Sequence, residues 1–105
     1  MKNPQKNPMQ LEGSNIIVTG AGQGIGEAVS RLVVDLGGKA IMVDVQGDKI
    51  NALAEELGNG NAEVHVGSVA DPGFVQEMVG NAISTNGAIH GLVNNAGIVR
   101  AAMIN

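Results

Sequence analysis

The sequence predicts an α/β fold: a doubly wound parallel sheet of four strands in the order 3-2-1-4, with helices on both faces. Three observations predict it. Short runs of β-branched and aliphatic residues without polar alternation recur along the chain, as strands buried on both faces require. Between them lie segments whose apolar residues step by three and four, the mark of a helix with one buried stripe. The connections are short, and strand–helix–strand units with right-handed crossovers leave few other arrangements.

Met1 to Gln10, with Pro4, Pro8 and no apolar run, reads as a flexible tail and not a signal peptide. Residues 11–105 read as one partial domain. Ile16-Ile17-Val18 is the first strand, followed by glycine-rich sequence from Gly20 to Gly26. Ile25, Ala28, Val29, Leu32, Val33 and Leu36 are expected to form the buried stripe of the first helix, closed by Gly37-Gly38. Ala40 to Val43 is the second strand, ending at Asp44. Asp48 is expected to cap a second helix carrying Ile50, Leu53, Ala54 and Leu57, with Gly58 at its end. Val64 and Val66 mark the third strand. Asp71-Pro72 starts the third helix, because Asp accepts a bond from an orphan amide and Pro at the first helical position loses no needed donor. Its stripe is Val75, Met78, Val79, Ala82 and Ile83, and Asn86-Gly87 ends it. Ile89 to Asn94 is the fourth strand.

Composition narrows the function. The chain has 105 residues, 44% hydrophobic and 15% charged, which suits one small globular domain. Phe74 is the sole aromatic residue, so the core is aliphatic, and the lack of Tyr removes one class of general acid. The net charge of −4 disfavours nucleic acid and an anionic membrane surface as partners. With no Cys there is no disulfide framework, thiolate metal site or thiol nucleophile. His65 and His90 stand isolated, without metal-ligand spacing, and read as structural. No apolar run reaches the length of a membrane span, and a cytoplasmic location is expected.

The chemistry sits in three clusters. Thr19-Gly20-Ala21-Gly22-Gln23-Gly24-Ile25-Gly26 joins the first strand to the first helix. A glycine loop there brings backbone close to a pyrophosphate, and the helix start offers free amides and a positive dipole end. The common G-x-G-x-x-G spacing fails; Gly20-x-x-x-Gly24-x-Gly26 fits. As a mere flexible turn, four glycines would be costly. Asp44, at the end of the second strand, can accept both ribose hydroxyls of an adenosine and would repel a 2′-phosphate. Val45 and Gln46 follow it and Gln23 lies in the loop, so no cation stands beside it in sequence, which favours NAD over NADP. The third cluster, Asn94-Asn95-Ala96-Gly97, follows the fourth strand.

Thr-Gly-x-x-x-Gly-x-Gly, an acid after strand two, and Asn-Asn-Ala-Gly after strand four together resemble the short-chain dehydrogenase/reductase family, over about Leu11 to Arg100. The run from Asn94 to Ile98, with Arg100, is particularly similar to ketoacyl-carrier-protein reductases. The resemblance implies a Rossmann-type three-layer fold and hydride transfer between a nicotinamide and a carbonyl or alcohol. It implies that Gly20, Gly24 and Gly26 form the dinucleotide loop, with the Ile25 amide near the pyrophosphate and Asp44 on the adenosine ribose. Asn94, Ala96 and Gly97 would brace the sheet and line the nicotinamide-side ribose. Where the family carries an Asp-Val pair beside adenine, this chain has Ser68-Val69; the resemblance then implies that Ser68 would bond adenine as a neutral partner and that Val69 would pack on the ring. The family's Tyr-x-x-x-Lys proton relay maps nowhere: there is no Tyr, and Lys2, Lys6, Lys39 and Lys49 all lie upstream. The chain therefore reads as the cofactor-binding part of a longer NAD-dependent oxidoreductase, inactive alone and expected to self-associate as a homo-oligomer. Two alternatives stay open: a non-catalytic nucleotide-binding module and a folding fragment that binds nothing.

Overall fold

A computed structural model of the chain describes residues 10–95. The tail up to Met9, Ala96 and Gly97 of the third cluster, and Ile98 and Arg100 beyond it lie outside the described residues. The elements are β1 (Asn15–Thr19), α1 (Gly24–Asp35), β2 (Lys39–Asp44), α2 (Gly47–Leu57), β3 (Ala62–Val66), α3 (Pro72–Asn86) and β4 (Gly91–Asn94). They build one sheet in the order β3-β2-β1-β4, and every pairing is parallel. The predicted architecture and strand order are those observed.

The unalternating strands are apolar on both faces because both faces are covered. Ile16, Val18, Ala40 and Met42 point to one side and pack with Val33, Ile50 and Leu53 under α1 and α2. Ile17, Ile41 and Val43 point to the other and pack with Met78 and Ala82 of α3, flanked by Phe74, Val79 and Ile89. The coverage is uneven: two helices lie on one face and one on the other. Leu92, in register with Ile17, is accordingly 62% exposed. A cavity of about 230 Å³ opens beside it, lined by Ile17, Val75, Met78, Val79 and Asn94 among others. Val93, on the other face, is half-buried against the first cluster.

Four expectations about the elements need correction, the first at Ile83 of α3, which is 46% exposed because the helix buries Met78 and Ala82 instead. The buried face of α1 is Gly26, Ser30 and Val33, while Ile25 is 66% and Leu32 50% exposed. The helix is rotated because a β-carbon on Gly26 would sit 1.9 Å from the Gly20 carbonyl oxygen: the glycine faces the sheet so that the helix can approach it. Asp48 does not cap α2. The N-cap position is Gln46, without a side-chain cap, and Asp48 lies in the first turn. β4 begins at Gly91 and not Ile89, since the Asn15 side chain and backbone occupy that stretch, with Asn15 Nδ2 donating to the Ala88 carbonyl at 2.9 Å. The third helix starts as expected, Asp71 accepting from the Gly73 and Phe74 amides at 3.0 and 3.3 Å. Gly87 ends it at φ +87°, donating to the Ile83 carbonyl.

At the amino ends of the strands a polar network replaces the apolar core. Lys39 Nζ donates to Asn86 Oδ1 at 2.7 Å and lies 3.2 Å from Glu63 Oε1. Asn86 Nδ2 donates to the same Glu63 oxygen at 2.9 Å, and His65 Nε2 lies 2.6 Å from Glu63 Oε2. The histidines are thus not isolated. His65 pairs with Glu63, and His90 Nδ1 accepts the Asn15 amide at 2.9 Å. Burial pushes the Glu63 carboxyl up, but the hydrogen bonds from Asn86, His65 and Lys39 and the Lys39 charge outweigh it, leaving the carboxyl below its ordinary range.

Candidate functional site

Because the strands are parallel, everything that follows a strand gathers at one edge of the sheet. The glycine loop after β1, Asp44 at the end of β2, Gly67 to Val69 after β3 and Asn94 at the end of β4 therefore share that edge, beside the point where the chain reverses strand order. Backbone bonds hold the edge together: the Ala21 amide donates to the Val43 carbonyl at 3.2 Å and the Gly67 amide to the Asp44 carbonyl at 3.0 Å.

Between them lies a cleft of about 140 Å³ lined by Gly20, Val43, Asp44, Val45, Gly67, Ser68 and Val69. Its walls are aliphatic and its polar atoms few, as suits a flat heteroaromatic ring with a sugar at its margin. Val45 and Val69 are 63% and 39% exposed, apolar surface left facing solvent at the cleft. The Phe74 ring backs it so closely that a β-carbon on Gly67 would lie 2.3 Å from the ring.

Asp44 is 9% exposed, and both carboxylate oxygens are engaged: Oδ2 accepts the Gly22 amide at 2.8 Å and Oδ1 the Gln46 amide at 2.9 Å. Ser68 Oγ accepts the Ala70 amide at 3.0 Å, which leaves its proton and a lone pair available. Gln23, the N-cap of α1, makes no side-chain cap bond, so no side chain of that residue competes for the first-turn amides around Ile25. Gly24 has φ +58°, a left-handed conformation that favours glycine, and open space where a side chain would stand. Gly26 packs inward against Gly20, so the two glycines serve different ends. The Thr19 hydroxyl donates to Asn94 Oδ1 at 3.0 Å, and Asn95 Nδ2 to the Gly20 carbonyl at 3.2 Å, so the Asn-Asn pair ties β4 to the loop.

Sequence reasoning missed two neighbours of Asp44. Gly22 was legible only as one glycine among four; its bond to Asp44 is tertiary. Lys49, in the first turn of α2, places its β-carbon 3.3 Å from where a Gly22 side chain would begin, so the root of that side chain lies beside the Gly22–Asp44 contact. A larger hollow of about 570 Å³, lined by Asn51, Ala54, Glu55, Gly58, Asn59 and Ala62, lies away from the strand ends and gathers no such set. Among the described residues no three His, Cys, Asp or Glu side chains group to hold a metal ion, and no helix is long and apolar enough to cross a membrane.

Residues 14–105 match the profile of the short chain dehydrogenase family. The chain belongs to that family. It is 39% identical over 93 residues to 1-deoxy-11-beta-hydroxypentalenate dehydrogenase of Streptomyces avermitilis, covering 87% of this chain and 34% of that protein. It is 35% identical over 98 residues to the 3-oxoacyl-acyl-carrier-protein reductase FabG of Thermotoga maritima, covering 91% and 40%. Among solved structures, a metagenomic short-chain oxidoreductase in complex with NADP superposes with a TM-score of 0.77 at 30% identity, over 84% of this chain and 41% of the other. The chain thus spans between a third and two fifths of the length of these family members.

Proposed function

We propose that this chain is the dinucleotide-binding part of an NAD-dependent oxidoreductase of the short-chain dehydrogenase/reductase type. The observation that carries the reading is the meeting, at one sheet edge, of a glycine loop opening a helix, a buried acid at the end of β2 and an aliphatic slot between them. The residues fit such a cofactor: Gly24 leaves open space above the first-turn amides, where a pyrophosphate would approach. Gly20, Gly24, Gly26 and the Ile25 amide would hold the pyrophosphate, and Asp44 the adenosine ribose. Val69 would pack on adenine, with Ser68 bonding its edge. Asn94, together with Ala96 and Gly97, would border the nicotinamide-side ribose. When bound, the nicotinamide supplies or accepts the hydride exchanged with a carbonyl or alcohol carbon.

The chain's own residues bind and orient; none supplies the proton. These 105 residues include no Tyr, the residue to which the resemblance gives the proton transfer, and positioned acid–base catalysis is worth roughly 10²- to 10⁴-fold. The 105 residues alone bind NAD without enzymatic turnover. Calorimetric titration tests this: NAD should bind more tightly than NADP, by about tenfold or more, the scale of one charged hydrogen bond or repulsion. Gly24→Val should abolish binding. Equal affinities or tighter NADP would remove the role given to Asp44. Unchanged binding in Gly24→Val would move the site, and robust NADH oxidation with ketones or ketoacyl thioesters would show that an acid–base group has been overlooked.

A further inference from the structure

We infer that Gly22 is a specificity-determining residue: it seats the Asp44 carboxylate, so that the choice between NAD and NADP belongs to the Gly22–Asp44 pair and not to the acid alone. The inference rests on the cofactor reading above. Gly22 does not occupy the left-handed region, so its backbone conformation does not demand glycine. What demands it is space. A β-carbon there would stand 2.9 Å from Asp44 Oδ2, 3.2 Å from Asp44 Cγ and 3.3 Å from the Lys49 β-carbon. Of these, the carboxylate end is the part that can swing away; the Lys49 β-carbon is fixed by the helix that carries it.

The glycine also donates. Its amide reaches Oδ2 at 2.8 Å while the Gln46 amide reaches Oδ1 at 2.9 Å, and the two bonds aim the carboxylate across the cleft mouth. Each oxygen keeps a lone pair for a ribose hydroxyl. A side chain at position 22 pushes the carboxylate off this seat, which weakens its grip on the hydroxyls and moves its charge from where a 2′-phosphate would lie. A β-carbon on Gly24 would meet nothing within 4 Å and one on Gly26 would meet Gly20 and Ala21 first, so of the loop's glycines it is Gly22 whose side-chain space belongs to Asp44.

The test compares NAD and NADP dissociation constants for the 105-residue chain, Gly22→Ala, Asp44→Ala and the double variant. Gly22→Ala should lower the preference for NAD by about tenfold, through weaker NAD and equal or tighter NADP. In the Asp44→Ala background the same change should no longer alter the ratio, an outcome that a general loss of loop structure would not produce. A wild-type chain without preference overturns the cofactor reading itself. A wild-type preference that survives in Gly22→Ala overturns only the role of Gly22. If Gly22→Ala does not fold, amide exchange decides: the Gly22 amide should be protected in the unliganded wild type and exchange about tenfold faster in Asp44→Ala, and equal rates overturn the inference.

Discussion

Gly26→Ala puts one methyl group where α1 meets β1. The added carbon would lie 1.9 Å from the Gly20 carbonyl oxygen, 2.6 Å from its carbon and 3.0 Å from the Ala21 Cα, all backbone atoms. Ordinary contact begins near 3.4 Å, so the helix must retreat by about 1.5 Å. A gap of even 0.5–1 Å forfeits roughly a quarter to a half of the dispersion energy across it. The retreat would lift Val33, which is buried, out of its cluster with Val18 and Ala21. The expected loss is about 3 kcal/mol, the upper part of the overpacking range. In a domain of this size that lowers the melting temperature by about 12–24 °C. Thermal unfolding followed by circular dichroism measures it. Gly24→Ala is the control: nothing lies within 4 Å of its added carbon, and the left-handed conformation costs only about 1–2 kcal/mol. Gly24→Ala should therefore spare more stability than Gly26→Ala while losing cofactor affinity. A Gly26→Ala chain melting within about 2 °C of wild type would refute the packing argument.

Asp71→Ala removes the two amide bonds at the start of α3 and should cost about 1 kcal/mol in urea denaturation, whereas Asp71→Asn, a comparable cap, should recover most of it. Glu63 titrates below its ordinary value of 4.5, so its stabilisation is present above that pH and is lost as pH falls through the lowered folded value; Glu63→Gln should flatten this acid limb, and an unchanged limb would place the acid sensitivity elsewhere. The exposed edge of β4, with Leu92 uncovered, should drive self-association that Leu92→Lys suppresses. Light scattering that finds a monodisperse wild-type monomer at high concentration would count against it.

The sheet was legible because its signal is local and redundant. Strands buried on both faces announce themselves as aliphatic runs, and Ile41 and Met42 needed no knowledge of their neighbours to be placed in the core. The Asp71-Pro72 cap was equally readable, since its partners are two and three residues away. The face that α1 buries was not: an apolar stripe through Ile25 and Leu32 pointed one way, and a contact between Gly26 and Gly20 turned the helix another. Of the candidate site, the loop and Asp44 were visible as residue types in order. Their mutual bond through Gly22 and the approach of the Lys49 β-carbon join positions distant in sequence whose meeting no periodicity encodes, whereas Glu63 and His65, two apart on one strand, share a face by the strand's own period.

The place of β4 beside β1 has a kinetic consequence. β1, β2 and β3 meet through neighbouring strand–helix–strand units, but β4 reaches β1 across bonds such as Asn15–His90 and Thr19–Asn94, each 75 residues apart in sequence. Closing so long a loop costs about 4 kcal/mol of chain entropy. The strand expected to arrive last in folding and to leave first in partial opening is then β4, which ends at Asn94. Three of the site's four segments, after β1, β2 and β3, are then expected to assemble before the fourth, at the end of β4. A ligand that touches both the glycine loop and Asn94 draws part of its free energy of binding into holding the sheet shut, so saturation with it should slow amide exchange in β4 more than in β2.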